Sequence, residues 1–274
     1  MNRLTDPIYL RNLLKRYQFK PKDYLGQNFL VDEEILQKII KAADLKTDDV
    51  VLEVGPGLGV LTVEIAKRVK RVVGVEKDRR VVSLLKKEFS FLKNLEIIEG
   101  DILKFYIAKY IKEKYKVVAN IPYYLTSHLI QSFLNSEVKP EVMVLMVQKE
   151  VAQRIVAKPG KLSILGISVQ INSKPEIIDL VPKESFWPSP KVNSAIIKIV
   201  PANIFPVIKD KKLFFRIIKS AFASKRKQLH NSLTAGLNLS KAEVLNIFNQ
   251  AGIKQTSRPQ DLSLKNWVDL YMLL

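Results

Sequence analysis

The chain has 274 residues, 45 Lys+Arg against 27 Asp+Glu for a formal charge of +18, 47% hydrophobic residues and no cysteine. At roughly 150 residues per domain this length suits one large domain or two smaller ones, and the apolar fraction supplies a true core, which excludes a disordered basic tail. The absence of cysteine excludes a disulfide framework, a thiolate metal site and a cysteine nucleophile, and points to a reducing, cytoplasmic compartment.

The N-terminal stretch carries Pro7, Arg11, Lys15 and Arg16 with no apolar run behind them, so a secretory signal is not expected. Between residues 50 and 200, β-rich runs alternate with amphipathic segments, which predicts an α/β domain with a mostly parallel sheet. Strands are expected at Val50 to Val54, Val72 to Glu76, Leu95 to Glu99, Val117 to Ala119, Val142 to Val147, Ile177 to Val181 and Ala195 to Val200. Leu58 to Val69, Arg79 to Phe89 and Ser127 to Asn135 are long enough for crossover helices, and Lys149 to Ala157 reads as a further helix. The last two strands flank the Pro-rich run Phe186 to Pro190 with no evident helix, which suggests an antiparallel pair at the sheet edge.

Val142 to Val147, among the longest apolar runs, is far short of the roughly 18 residues a membrane helix needs. From about Ile204 the β-branched runs stop. Helices are expected at Lys211 to Ser224, Arg226 to Leu233, Lys241 to Ala251 and Leu264 to Leu273, broken by Gly236, Gly252 and Pro259, with Ser240 and Glu243 as a capping box. Two domains follow: residues 1–202, an α/β body with its N-terminal arm, and residues 203–274, a small all-helical domain. Residues 203–274 hold 12 Lys/Arg against 4 Asp/Glu and residues 1–23 hold 6 against 2, so the excess charge flanks the α/β body. That distribution suits an extended polyanion, most simply nucleic acid.

Glu53-Val54-Gly55-Pro56-Gly57-Leu58-Gly59 follows an apolar strand and opens a helix, where glycines let a ligand approach the backbone and helix N–H groups. A nicotinamide-type fingerprint would need its third glycine at Val60. The spacing found instead resembles the first motif of S-adenosylmethionine methyltransferases. Glu76 ends the second strand, where a carboxylate accepts ribose hydroxyls, and Asp101 ends the third, where it accepts an adenine amine. The fourth strand runs into Asn120-Ile121-Pro122-Tyr123. Methylating an exocyclic amine requires that its delocalised lone pair be freed. An Asn side-chain carbonyl and a backbone carbonyl, here that of Ile121, can accept its two N–H bonds while Tyr123 stacks on the base.

The ordered blocks identify a resemblance. Leu25 to Leu30, the Gly55 loop, Glu76, Gly100-Asp101, the Asn120 motif, Gln148 to Ile155, Phe186 to Ser194 and Phe222 to Leu229 together resemble the ribosomal RNA adenine N6-dimethyltransferase family, in its small-subunit branch. The resemblance implies a Rossmann-like seven-stranded sheet with a helical C-terminal domain, S-adenosylmethionine as cofactor, and two methyl transfers to each of two adjacent adenines near the 3′ end of small-subunit rRNA during ribosome biogenesis. It places Asn28, Leu30, Gly55, Gly57, Glu76 and Asp101 on the cofactor, and Asn120 on both cofactor and target amine. It sets Tyr123 and Phe186 beside the flipped base, with Asn120, Ile121, Pro122 and Tyr123 as the catalytic motif. Lys149, Arg154, Lys191, Lys225, Arg226 and Lys227 become candidate phosphate contacts, and a monomer with no metal and no membrane is expected. His128 and His230 read as structural. Lys161 to Gly166, Phe105-Tyr106 and Asn193 depart from the family pattern. Two other readings stay open here: a large-subunit rRNA methyltransferase of the macrolide-resistance type, and a ribosome-assembly factor without turnover.

Overall fold

The computed structural model describes residues 2–22, 25–224 and 227–274. They form two compact units: Met1–Ala152 with Pro175–Pro201, and Gln153–Lys174 with Ala202–Leu274.

The first unit opens with helix α1 (Pro7–Arg16), started by Asp6, whose side chain accepts from the Ile8 N–H, and by Pro7 in the first turn. Leu10, Leu13 and Leu14 form its buried stripe. Strand β1 (Phe29–Leu30) and helix α2 (Glu33–Ala43) follow, the latter capped by Asp32 and bearing Glu33 and Glu34 in its first turn. Neither α1 nor α2 is among the expected elements, although each carries an apolar stripe at helical spacing, Leu10, Leu13 and Leu14 in α1 and Ile35, Leu36, Ile39 and Ile40 in α2. Then come β2 (Val50–Val54), α3 (Val60–Ala66), β3 (Arg71–Glu76), α4 (Arg79–Glu88), β4 (Leu95–Glu99), β5 (Lys116–Asn120), α5 (Thr126–Asn135), β6 (Val142–Gln148) and α6 (Lys149–Ile155). After α7 (Ile164–Gln170), the strands β7 (Ser173–Val181), β8 (Phe186–Trp187) and β9 (Ser194–Pro201) complete the body.

The main sheet has seven strands in the order β4-β3-β2-β5-β6-β9-β7. β4, β3, β2, β5 and β6 pair in parallel, and β9 runs antiparallel to β6. β2 and β6 are apolar along almost their whole length because both faces are covered, as crossover helices require. Each fully buried Val, Leu or Met there contributes about 1.5–3 kcal/mol of transfer free energy. The chain proceeds from β2 to β3 and β4 on one side, then returns to β5 and β6 on the other. The order therefore switches between β2 and β5, and a crevice at their carboxyl ends is the general ligand position of such sheets.

The second unit contains α7 with α8 (Lys211–Phe222), α9 (Leu229–Leu237), α10 (Lys241–Gln250) and α11 (Leu264–Leu273). Leu162, Ile167 and Ile171 join its core around Phe214, Phe248 and Trp267, so the segment 153–174 belongs with the helices. Ser240 and Glu243 form the expected capping box. Gly236 does not end a helix: it lies inside α9, where an added Cβ would sit 2.4 Å from the Ser220 Cβ on α8. The glycine serves close helix packing, and α9 stops at Asn238, which is left-handed with φ 57°.

Candidate functional site

Leu58, Val60, Leu61 and Ile65 bury α3 in the core beneath the loop that joins it to β2. Gly55, Gly57 and Gly59 all have positive φ, so the loop turns with its backbone presented to the crevice. At Gly59 a Cβ would come within 2.4 Å of the Phe89 ring, so glycine also lets the loop settle on the end of α4.

Two carboxylates stand at the ends of the next two strands. Glu76 is 9% exposed and accepts from the Asp78 N–H at 2.8 Å and the Gly57 N–H at 3.3 Å. Burial pushes its carboxyl above the usual range, while those backbone donors pull it back. Asp101 accepts the Leu103 N–H at 3.1 Å and pairs with the Lys77 ammonium at 3.0 Å, and that hydrogen bond holds its carboxyl below its ordinary value.

β5 delivers Asn120 to the same edge. Its side-chain N–H donates to the Asn28 carbonyl at 3.0 Å, which fixes the amide and leaves Oδ1 free of that bond. Ile121 is 1% exposed, and its N–H reaches the Met146 carbonyl at 3.3 Å. Pro122 lies under the arm, where an added Cβ at Gly26 would meet it at 3.1 Å. The Tyr123 hydroxyl and Ser194 Oγ are 2.7 Å apart; burial raises the phenol, with a smaller opposing effect of this bond.

The arm is fastened at several points. Gln27 donates to Asp78 at 3.0 Å and accepts the Lys22 N–H at 2.8 Å. Arg80 pairs with Asp78 and lies 4.5 Å over the Phe19 ring, which meets Phe29 edge-on. Leu30 pairs with Phe186 in a two-stranded antiparallel ladder of β1 and β8.

Asn28, Leu30, Gly55, Gly57, Glu76, Asp101, Asn120 and Pro122 therefore line one cleft. Ile121 and Tyr123 sit beside it without being among its lining residues. Phe186 is 3% exposed, belongs to the same buried cluster as Leu30, and is not among the residues that line the cleft. Lys149, Arg154, Lys191 and Lys227 do not line it; Lys149 is half-buried and the other three are exposed. Lys225 and Arg226 lie outside the described residues. The cleft also contains Gln27, Lys77 and Tyr124, which motif reading passes over. Lys77 is adjacent to Glu76 in sequence, so its position is legible once the strand end is fixed. The glycine loop, the polar strand ends and the fixed amide suit a nucleoside with a charged tail. The two carboxylates match a ribose and an amine-bearing base, so the residues present fit S-adenosylmethionine.

Residues 18–274 match the family model described as ribosomal RNA adenine dimethylase. A ribosomal RNA small subunit methyltransferase A from Dehalococcoides mccartyi is 42% identical over 94% of this chain and 89% of its own length. One of the same description from Alkaliphilus metalliredigens is 38% identical over 98% and 97%. Among solved structures, a dimethyladenosine transferase from Plasmodium falciparum superposes with TM-score 0.78 at 30% identity, covering 88% of this chain and 95% of that one. The 23S rRNA methyltransferase ErmE gives 0.73 at 25%, covering 90% and 99%. The chain belongs to the ribosomal RNA adenine dimethylase family.

Proposed function

We propose that the protein transfers methyl groups from S-adenosylmethionine to N6 of two adjacent adenines near the 3′ end of small-subunit rRNA, giving N6,N6-dimethyladenine. The observation that carries this reading is the Asn120 amide, oriented by Asn28 at the end of β5, in the cleft that also holds Glu76 and Asp101. When bound, the cofactor supplies an electrophilic methyl group on its sulfonium. Gly55 and Gly57 cradle its tail, Glu76 accepts its ribose hydroxyls, Asp101 accepts its adenine amine, and Asn28 and Leu30 close the arm over it.

Asn120 Oδ1 and the Ile121 carbonyl accept the two N–H bonds of the target amine. That frees the nitrogen lone pair and aims it into the cleft, an orientation and electrostatic effect. Tyr123 stacks on the base, which must leave its surroundings to enter. Phe186 flanks the flipped base together with Tyr123. Lys149, Arg154, Lys191, Lys225, Arg226 and Lys227 supply phosphate contacts that position the RNA without reading the adenine.

The reading is tested by incubating the protein and methyl-labelled cofactor separately with under-methylated small and large ribosomal subunits. Label is expected in adenine of the small-subunit rRNA. Label confined to the large subunit, or none in adenine, would contradict it. Asn120→Ala is expected to lower transfer by about 10²-fold or more, the scale for loss of one pre-oriented polar group, with subunit binding nearly unchanged.

A further inference from the structure

The pairing of Lys77 with Asp101 across the ends of β3 and β4 has a consequence for ligand affinity, and it rests on the cleft reading above. Asp101 has two carboxylate oxygens. Oδ1 accepts the Leu103 N–H and starts the short helical turn that follows, while Oδ2 is held by Lys77 Nζ at 3.0 Å. Both residues line the cleft, the Lys77 side chain 59% and the Asp101 side chain 28% exposed. Both Asp101 oxygens therefore already have a donor, and the Oδ2 donor is an exposed ammonium that also lines the cleft. Of the neighbouring charged and titratable groups, the Asp101 carboxylate acts most strongly on Lys77 and the Tyr124 phenol less so.

We infer that Lys77 competes with the adenine amine for Asp101 and so acts as a brake on cofactor affinity, easing release of the demethylated cofactor after each transfer. An exposed lysine pays little to leave an ion pair, because water solvates it well and such pairs are weak. The exchange is thus reversible and salt-sensitive: ions screen the Lys77–Asp101 attraction, whereas the amine bond to Asp101 is shorter-ranged and shielded inside the cleft. A sequence that needs four transfers per substrate gains from quick departure of spent cofactor, since product release limits many enzymes. Lys77 is on this view a positioning residue that acts through Asp101.

The test is calorimetry of S-adenosylhomocysteine binding to wild type, Lys77→Met, Asp101→Asn and the double variant, each at low and high salt. The expected result is that Lys77→Met binds roughly two- to five-fold more tightly than wild type at low salt, the scale of one exposed ion pair. The gap should narrow at high salt and vanish in the Asp101→Asn background, where the lysine has no anion to hold. Unchanged or weaker binding by Lys77→Met, or a gap that persists between Asp101→Asn and the double variant, would overturn the inference and leave the cleft reading standing. Failure of wild type to bind the probe at all would overturn the cleft reading itself.

Discussion

Glu53 occupies an environment unlike the solvated one its residue type favours. It sits on β2 just before the glycine loop, 1% exposed, with neither carboxylate oxygen in hydrogen-bond geometry. Burial dominates and pushes its carboxyl up to about 8, the Thr62 hydroxyl and N–H oppose this, and nearby Glu76 adds to it. In the unfolded chain the group titrates near its ordinary value of 4.5. Between those two values the folded protein keeps a proton that the unfolded chain has released, so stability falls as pH rises through the window and levels off above it. At about 1.4 kcal/mol per pH unit the loss amounts to a few kcal/mol. Glu53→Gln, which cannot ionise, should remove this slope and exceed wild type in stability at about pH 8. Denaturant midpoints at about pH 5, 6.5 and 8 measure it, and parallel profiles for the two proteins would refute it. Sequence shows Glu53 only as part of a motif. Its burial depends on α3 and Thr62 folding back over β2, which no local pattern records.

Among the elements, the parallel strands are legible because covered strands need unbroken β-branched runs, and β2, β3 and β4 begin or end within one residue of their expected limits. Elements defined by tertiary packing are not. β1 and β8 are two residues each and exist only as each other's partner. α7 is seven residues of nearly continuous apolar sequence that gives no helical period. Gly236 reads as a break because glycine disfavours helices, yet the tight approach of α8 to α9 demands it. Gly236→Ala should therefore destabilise the helical unit by about 1–3 kcal/mol despite its better helix propensity, because overpacking outweighs propensity. A thermal melt monitored in the helical unit checks this, and a stabilised variant would contradict it. The cofactor edge is legible for a related reason. Glu76, Asp101 and Asn120 each end or closely follow a recognisable strand, whereas Phe186 carries the same signal whether a ring faces a cleft or a core.

At the scale of the whole molecule, the +18 charge is concentrated in one unit. Residues 153–174 bring four Lys/Arg and no acid, and residues 202–274 bring twelve and four, so the helical unit holds +12. Its four acids have structural employment: Asp210, Glu243 and Asp261 cap helices, and Asp269 pairs with Lys265. The unit therefore offers a cationic surface suited to RNA phosphates, while the chemistry proposed above rests on largely uncharged groups near Asn120. Reversing Lys225, Arg226 and Lys227 together should weaken small-subunit binding and flatten its log–log salt dependence by about one unit for each phosphate no longer neutralised. Affinity for S-adenosylhomocysteine should be unchanged. Equal weakening of both affinities would contradict this division of labour.

The most direct measurement is mass mapping of methylated adenines in rRNA from cells with and without the gene, complemented by wild type or by Asn120→Ala. Two adjacent N6,N6-dimethyladenines near the 3′ end of small-subunit rRNA should be present with wild type and absent without it or with the variant. Persistence of both in the deletion, or loss of a modification only in large-subunit rRNA, would contradict the assignment.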